Sequence, residues 1–321
     1  MDRRRLGLSG LEVSPLCLGT MTFGWSTDRE TAFSIMDAAV EAGINFFDTA
    51  DIYSRWITGN SGGESETIIG EWFRTRDRDR IILATKVRGQ MWSGPNGEGL
   101  GRAHILRAVE DSLRRLNTDY IDLYQLHYPD DATPMDETLA ALDLLVQQGK
   151  VRYIGYSNYP AWVVVRALCT SAERSLPAFV SSQPHYSLLH RANFEREEAA
   201  MCAAERIGVI PYSPLAAGFL TGKYTRENLS PDTTRQSSGI IRELTANPRA
   251  FDVLDVVRAQ AEAHGVPMAH VALAWLLAQP VVTSAIIGAR TPDQLQEVVG
   301  ATDLVLSAED MDALTEATAG F

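Results

Sequence analysis

Short apolar runs recur along this chain with an amphipathic helical stretch between each pair, and that alternation leaves few folds open. The eight runs are 16–19, 45–47, 81–85, 121–126, 151–156, 179–183, 209–212 and 284–287. Helical patterns lie near 28–42, 64–74, 102–116, 135–148, 160–170, 193–206, 250–278 and 291–299. Continuous apolar runs mark strands buried on both faces, and alternation with helices implies parallel neighbours joined by right-handed crossovers. Eight units in 321 residues, without a break in composition, predict closure: an α/β chain folded as a (β/α)8 barrel, one domain over 1–321. Residues 4–6 and 11–13 flank Gly7-Leu8-Ser9-Gly10 and read as a hairpin plugging one barrel end. The tail adds a C-terminal helix over 307–319, with Ser307 as its cap. Segments 53–63, 88–101 and 216–248 resist assignment and read as lids or binding loops.

Parallel barrel strands deliver side chains to one rim at their C-terminal ends. Asp48 follows Phe46-Phe47, Lys86 follows Leu83-Ala84-Thr85, His127 follows Gln125-Leu126, and Tyr53 lies just past the second run. A carbonyl that accepts a hydride develops negative charge on oxygen and needs a proton donor there. Tyr53 is the donor of that set. A free phenol has a pKa of about 10, so a neighbouring ammonium such as Lys86 and an imidazole such as His127 are expected to bring its proton into range. An unpaired buried ammonium costs several kcal/mol, so Asp48 and Lys86 should form an ion pair.

Net charge is 29 minus 41, or −12, with no basic run that would track a phosphate backbone, so nucleic acid is not an expected partner. Cys17, Cys169 and Cys202 are odd in number and share no metal-type spacing with histidine, which points away from disulfides and metal and towards a reducing cytoplasm. Met1-Asp2-Arg3-Arg4-Arg5 leads into no apolar core of a signal, and no stretch approaches the roughly 20 apolar residues of a membrane span. Neither export nor a membrane association is expected.

Beyond these patterns, Leu6-Gly7-Leu8-Ser9-Gly10-Leu11-Glu12-Val13-Ser14, Gly43-Ile44-Asn45-Phe46-Phe47-Asp48-Thr49-Ala50, Leu116-Asn117-Thr118-Asp119-Tyr120-Ile121-Asp122-Leu123 and Gly149-Lys150-Val151-Arg152-Tyr153-Ile154-Gly155 carry a specific likeness. From end to end the chain resembles the aldo-keto reductases, TIM-barrel oxidoreductases that use NAD(P)H without a Rossmann domain. The resemblance places the family's catalytic tetrad on Asp48, Tyr53, Lys86 and His127, with tyrosine as the acid in reduction.

The same resemblance implies a cofactor groove along the later strands. Ser157, Asn158 and Gln183 end two of them with hydroxyl and amide groups suited to a carboxamide, and Tyr212 would stack on the nicotinamide. Ser213, Leu215 and Gly218 would meet the pyrophosphate. Gly288, Arg290, Gln294 and Glu297 fall in Ile286-Ile287-Gly288-Ala289-Arg290-Thr291-Pro292-Asp293-Gln294-Leu295-Gln296-Glu297, a strand running into a helix N-terminus that would grip the adenosine end. Gly288, Ala289, Gln294 and Val298 depart from the family's best-known members, where lysine, serine, arginine and asparagine stand. A branch with Gly-Ala-Arg binds NADP, and Arg290 can fork onto a 2′-phosphate, so NADPH is expected over NADH. For the substrate pocket, Trp25, Trp92 and Tyr128 are the expected wall, with Tyr159 also near a strand end and Trp56 pinning its own loop. Aryl aldehydes, short dicarbonyls and keto sugars all suit such a pocket. A specialised keto-sugar or secondary-metabolite reductase and a cofactor-holding regulatory subunit with slow turnover are the alternatives, and oligomeric state stays open.

Overall fold

The structure is a computed structural model that describes residues 1–229 and 238–321; residues 230–237, part of the third expected binding loop, lie outside the described residues. A hairpin opens the chain, β1 (Arg4–Arg5) antiparallel to β2 (Glu12–Val13). Among the described residues, eight parallel strands follow: β3 (Leu16–Gly19), β4 (Phe46–Asp48), β5 (Ile82–Val87), β6 (Ile121–Leu126), β7 (Val151–Ser157), β8 (Phe179–Gln183), β9 (Gly208–Val209) and β10 (Ala285–Ile287). They pair in chain order, and β10 returns beside β3. The remaining seam, β9 to β10, closes through a parallel bridge between Val209 and Val282 and a bond from Ile286 N to Pro211 O of 2.9 Å. The expected eight-stranded barrel with its N-terminal hairpin is therefore observed.

Helices cover the barrel: α1 (Arg29–Glu41), α2 (Glu64–Phe73), α3 (Arg102–Leu116), α4 (Met135–Gln147), α5 (Ala161–Arg174), α6 (Ala199–Glu205), α7 (Gly239–Ala246), α8 (Pro248–His264), α9 (Met268–Leu277), α10 (Pro292–Val299) and α11 (Ala308–Ala317). The pattern at 250–278 splits into α8 and α9, because Gly265 takes a left-handed φ of 64° and Pro267 starts a new helix. The pattern at 193–206 begins as a π-turn over Phe194–Glu198 before α6. The long segment read as a loop contains α7, which Ser238 caps through its hydroxyl.

Two residues per repeat is the side-chain period of a strand, and it sorts the barrel interior into layers. Phe46, Ala84, Leu123, Ile210 and Ile286 form an apolar layer with Leu6 and Val13 of the hairpin beneath it. Two positions further along, the same inward faces carry Asp48, Lys86 and Gln125, all buried. The polar layer thus sits directly on the apolar one, at the strands' C-terminal ends.

Candidate active site

Lys86 is the centre of the polar layer. Its ammonium has three hydrogens, and it donates to Asp48 Oδ2 at 2.6 Å, Thr49 O at 2.9 Å and Tyr53 Oη at 2.8 Å. The expected ion pair with Asp48 is formed, and it is buried. Asp48's other oxygen accepts from Gln183 Nε2 at 2.8 Å and Gln125 Nε2 at 3.1 Å. The pair is therefore surrounded by donors that make its burial tolerable. Gln125 was not singled out from sequence. Its signal was there: a polar side chain on the inward face, two positions before His127. Gly155, its register partner on β7, leaves the space it needs, since a Cβ there would fall 2.2 Å from Ser181 Oγ and 3.3 Å from Gln125 Cγ.

Tyr53 lies in a turn after β4, half-buried, with its hydroxyl against Lys86. The ammonium pulls the phenol's pKa down, but burial outweighs it and the net position is about 12. The expected lowering is thus overtaken by desolvation. His127, just past β6, faces Tyr53 edge-on with ring centroids 6.0 Å apart. Burial, then the Lys86 and Arg88 charges, holds this imidazole well below its usual pKa, so it is neutral at pH 7. Lys86 is raised overall, because Asp48 and Tyr53 together outweigh the burial that would lower it.

The expected cofactor residues form a second network. Ser157 Oγ donates to Gln183 O at 2.7 Å, Asn158 Nδ2 donates to His127 O at 3.0 Å and Ser157 Oγ at 2.9 Å, and Tyr212 Oη donates to Asn158 Oδ1 at 2.9 Å. Gln183 belongs to both networks. After Tyr212, Ser213, Ala216, Ala217 and Gly218 all take positive φ. These residues close a tight turn in which Ala216 N donates to Ser213 O at 2.9 Å, and Lys223 Nζ lies 2.6 Å from where a Cβ on Gly218 would be. Leu215 O accepts from Gly218 N at 2.8 Å and fixes that turn. Gly288 is exposed, with open space on its Cβ side. Thr291 caps α10, and Gln294 Oε1 accepts from Arg290 N at 3.0 Å. Glu297 is exposed, and its carbonyl accepts from His270.

Of the aromatic residues, Trp25 meets Trp56 edge-on at 5.7 Å, and Trp56 meets Tyr53 at 6.3 Å. Tyr128 stacks on His127 at 4.9 Å. Trp92 goes elsewhere: its ring lies on His104 and under Arg107, both on α3, so it anchors its loop. Trp56, read as the loop pin, is the tryptophan beside Tyr53. Tyr159 is buried against Tyr156.

A model of the aldo/keto reductase family matches residues 15–319. The chain is 41% identical over 322 residues to a Bacillus subtilis (strain 168) protein named uncharacterized oxidoreductase YrpG, a match covering 98% of this chain and 95% of that one. It is 37% identical over 347 residues to protein tas of Escherichia coli (strain K12), covering 99% and 97%. It is 34% identical over 313 residues to an Arabidopsis thaliana protein named as a probable voltage-gated potassium channel subunit beta, covering 95% and 92%. With the barrel in place and nearly its whole length matched, the chain belongs to the aldo/keto reductase family of oxidoreductases.

Proposed function

We propose that the chain works as a single cytoplasmic catalytic unit that reduces an aldehyde or ketone to an alcohol, with NADPH as reductant and Tyr53 as the acid. The observation that carries this is the closed set around Lys86. All three ammonium hydrogens are taken, one of them by Tyr53 Oη. Because Lys86 donates to the phenol oxygen, the phenol's own hydrogen is left to point into the pocket.

The donor set fits a nicotinamide dinucleotide: a hydroxyl and two carboxamides at Ser157, Asn158 and Gln183, a half-buried flat ring at Tyr212, and a left-handed turn at Ser213 to Gly218. Arg290 beside the N-terminus of α10 fits a phosphate on the adenosine side. When bound, NADPH supplies the hydride that reduces the carbonyl carbon. Tyr53, protonated across the neutral range, gives its proton to the carbonyl oxygen. Lys86 stabilises the phenolate that results, and Asp48 keeps that ammonium in place. Neutral His127 orients the oxygen without competing as an acid. Solvent then returns a proton to Tyr53.

Tyr53→Phe should lower carbonyl reduction by about 100-fold or more, read as NADPH oxidation over a panel of aryl aldehydes, dicarbonyls and keto sugars. NADPH affinity, titrated by fluorescence, should be kept. Full activity in Tyr53→Phe would remove the assignment. The likeness to the plant channel-subunit protein supports one other reading, a barrel that holds NADPH and turns over slowly beside a membrane partner. Tight NADPH binding with no turnover on any panel member would favour it.

A further inference from the structure

Next to the Lys86 network stands a column of flat rings that the proposed reduction leaves unused. His185 follows β8 by two residues, and the chain there runs as a parallel neighbour of the stretch after β9: Tyr212 N donates to Pro184 O at 2.9 Å, and His185 bridges Tyr212. Neighbouring strands lie about 4.8 Å apart, so flat side chains in register can stack. These do, with ring centroids 5.1 Å apart and planes 12° from parallel. On the other side of His185 lies His190, at 3.8 Å and 18°. A tight return holds it there. Ser187 and His190 form an antiparallel bridge, His190 N donates to Ser187 O at 3.0 Å, and Leu188 and Leu189 between them are buried.

His185 Nε2 is enclosed without a hydrogen-bond partner. An unmatched buried nitrogen costs stability, so what this side chain supplies is its flat ring. Both imidazoles are neutral at pH 7: burial, then His190, pulls His185 down to about 4, and burial lowers His190 against the charge of Glu243 on α7. Two imidazolium rings at that spacing would repel. Tyr212 is thereby fixed twice. Its hydroxyl donates to Asn158 Oδ1 at 2.9 Å, and Asn158 Nδ2 donates to His127 O at 3.0 Å, which ties the phenol's far end to the active site. That bond alone leaves the ring free to turn about its long axis, a torsion that is broad unless something packs against it. His185 packs against it. Tyr212 is half-buried, and with one face on His185 the opposite face is the one left to a ligand.

We propose that His185 is a positioning residue for the cofactor: backed by His190, it fixes the plane of the Tyr212 ring, and through that plane the seat of the nicotinamide on the opposite face. The inference rests on the dinucleotide reading above, and it adds a residue that touches neither substrate nor cofactor.

The test compares NADPH with 2′-phospho-ADP-ribose, which keeps the adenosine and pyrophosphate but has no nicotinamide, each titrated by quenching of tryptophan emission. The wild type should bind NADPH more tightly than the analogue. His185→Ala should weaken NADPH by about two- to tenfold, the range of one aromatic pair, and leave the Kd of the analogue unchanged, whereas a general loosening of the fold would weaken both. His185→Phe, which restores a flat ring, should recover the NADPH affinity, and His185→Leu, which restores bulk alone, should not. On a Tyr212→Ala background, His185→Ala should change neither Kd further. Unchanged NADPH affinity in His185→Ala, an equal loss for both ligands, or a full effect on the Tyr212→Ala background overturns the role of His185 and leaves the dinucleotide reading standing. Equal binding of NADPH and the analogue by the wild type, or binding of neither, overturns the seat on Tyr212 itself, and the role of His185 with it.

Discussion

Lys86 shows how much a buried charge depends on its partners. Asp48→Asn would leave the ammonium enclosed beside a neutral amide, and loss of one member of such a pair costs about 3–5 kcal/mol; urea unfolding should show a drop of that order. Tyr53, with its pKa pushed up to about 12, should keep reduction level with pH through the neutral range, while alcohol oxidation, which needs the phenolate, should climb with pH. Asp51 makes the contrary case. Both its carboxylate oxygens are buried without partners, and burial, then the nearby Glu66, raises its pKa well above the ordinary value. Its folded pKa lies above its unfolded one, so the folded state holds the proton longer, and stability falls as pH rises from about 4 towards the folded value, by up to about 1.4 kcal/mol per pH unit. Asp51→Asn should flatten that decline and raise neutral stability, measured by urea midpoints across pH. At this scale, the clustering of Asp48, Tyr53, Lys86 and His127 was legible because Asp48, Lys86 and His127 each follow an apolar run, where a polar side chain stands out, and Tyr53 comes five residues after the first of them. Gln125 was less so, since it lies inside β6 between apolar neighbours. Trp56 and Trp92 could not be ranked from sequence, because ring partners on α3 and on the loop after α1's preceding strand come from distant parts of the chain.

Strands β5 to β7 were readable because their runs are six or seven residues long and mostly apolar. The run at 209–212 gives only Gly208–Val209, since Pro211 has no N–H to offer a ladder and Tyr212 joins His185 through an isolated bridge. Helix periodicity carries straight through a left-handed residue, which is why α8 and α9 read as one. Gly265 is the break, and nothing lies within 4 Å of where its Cβ would be. Gly265→Ala should therefore cost only the backbone penalty, about 1–2 kcal/mol, visible as a lower urea midpoint. The loop carrying Tyr53 is latched to the loop after β5 by Arg55, which donates to the Gln90 carbonyl and to Gln90 Oε1. A sequence gives no sign of such a cross-loop clasp.

At the scale of the molecule, the two barrel ends have separate work. The hairpin closes the N-terminal end, with Leu6 fully buried under the apolar layer and Arg4 Nη1 donating to Leu277 O and Val282 O, each at 3.1 Å. The polar layer occupies the opposite end. Leu6→Ala should lower stability by about 2–5 kcal/mol while leaving kcat per folded molecule unchanged, a split that calorimetry and active-site-normalised rates would reveal. The circumference is uneven as well. β7 is seven residues long, whereas β9 has two and meets the stretch leading into β10 through the Val209–Val282 bridge, with Thr283 N donating to Val209 O at 2.8 Å and Ile286 N to Pro211 O at 2.9 Å. The stiff arc carries Lys86 and His127, whose spacing the proposed chemistry would need to keep through turnover; the thin arc carries Tyr212 and Gly288, beside which the proposed dinucleotide would arrive and depart. Amide protons along that seam should exchange with deuterium soonest, and a bound dinucleotide would act there as a removable stave in the wall.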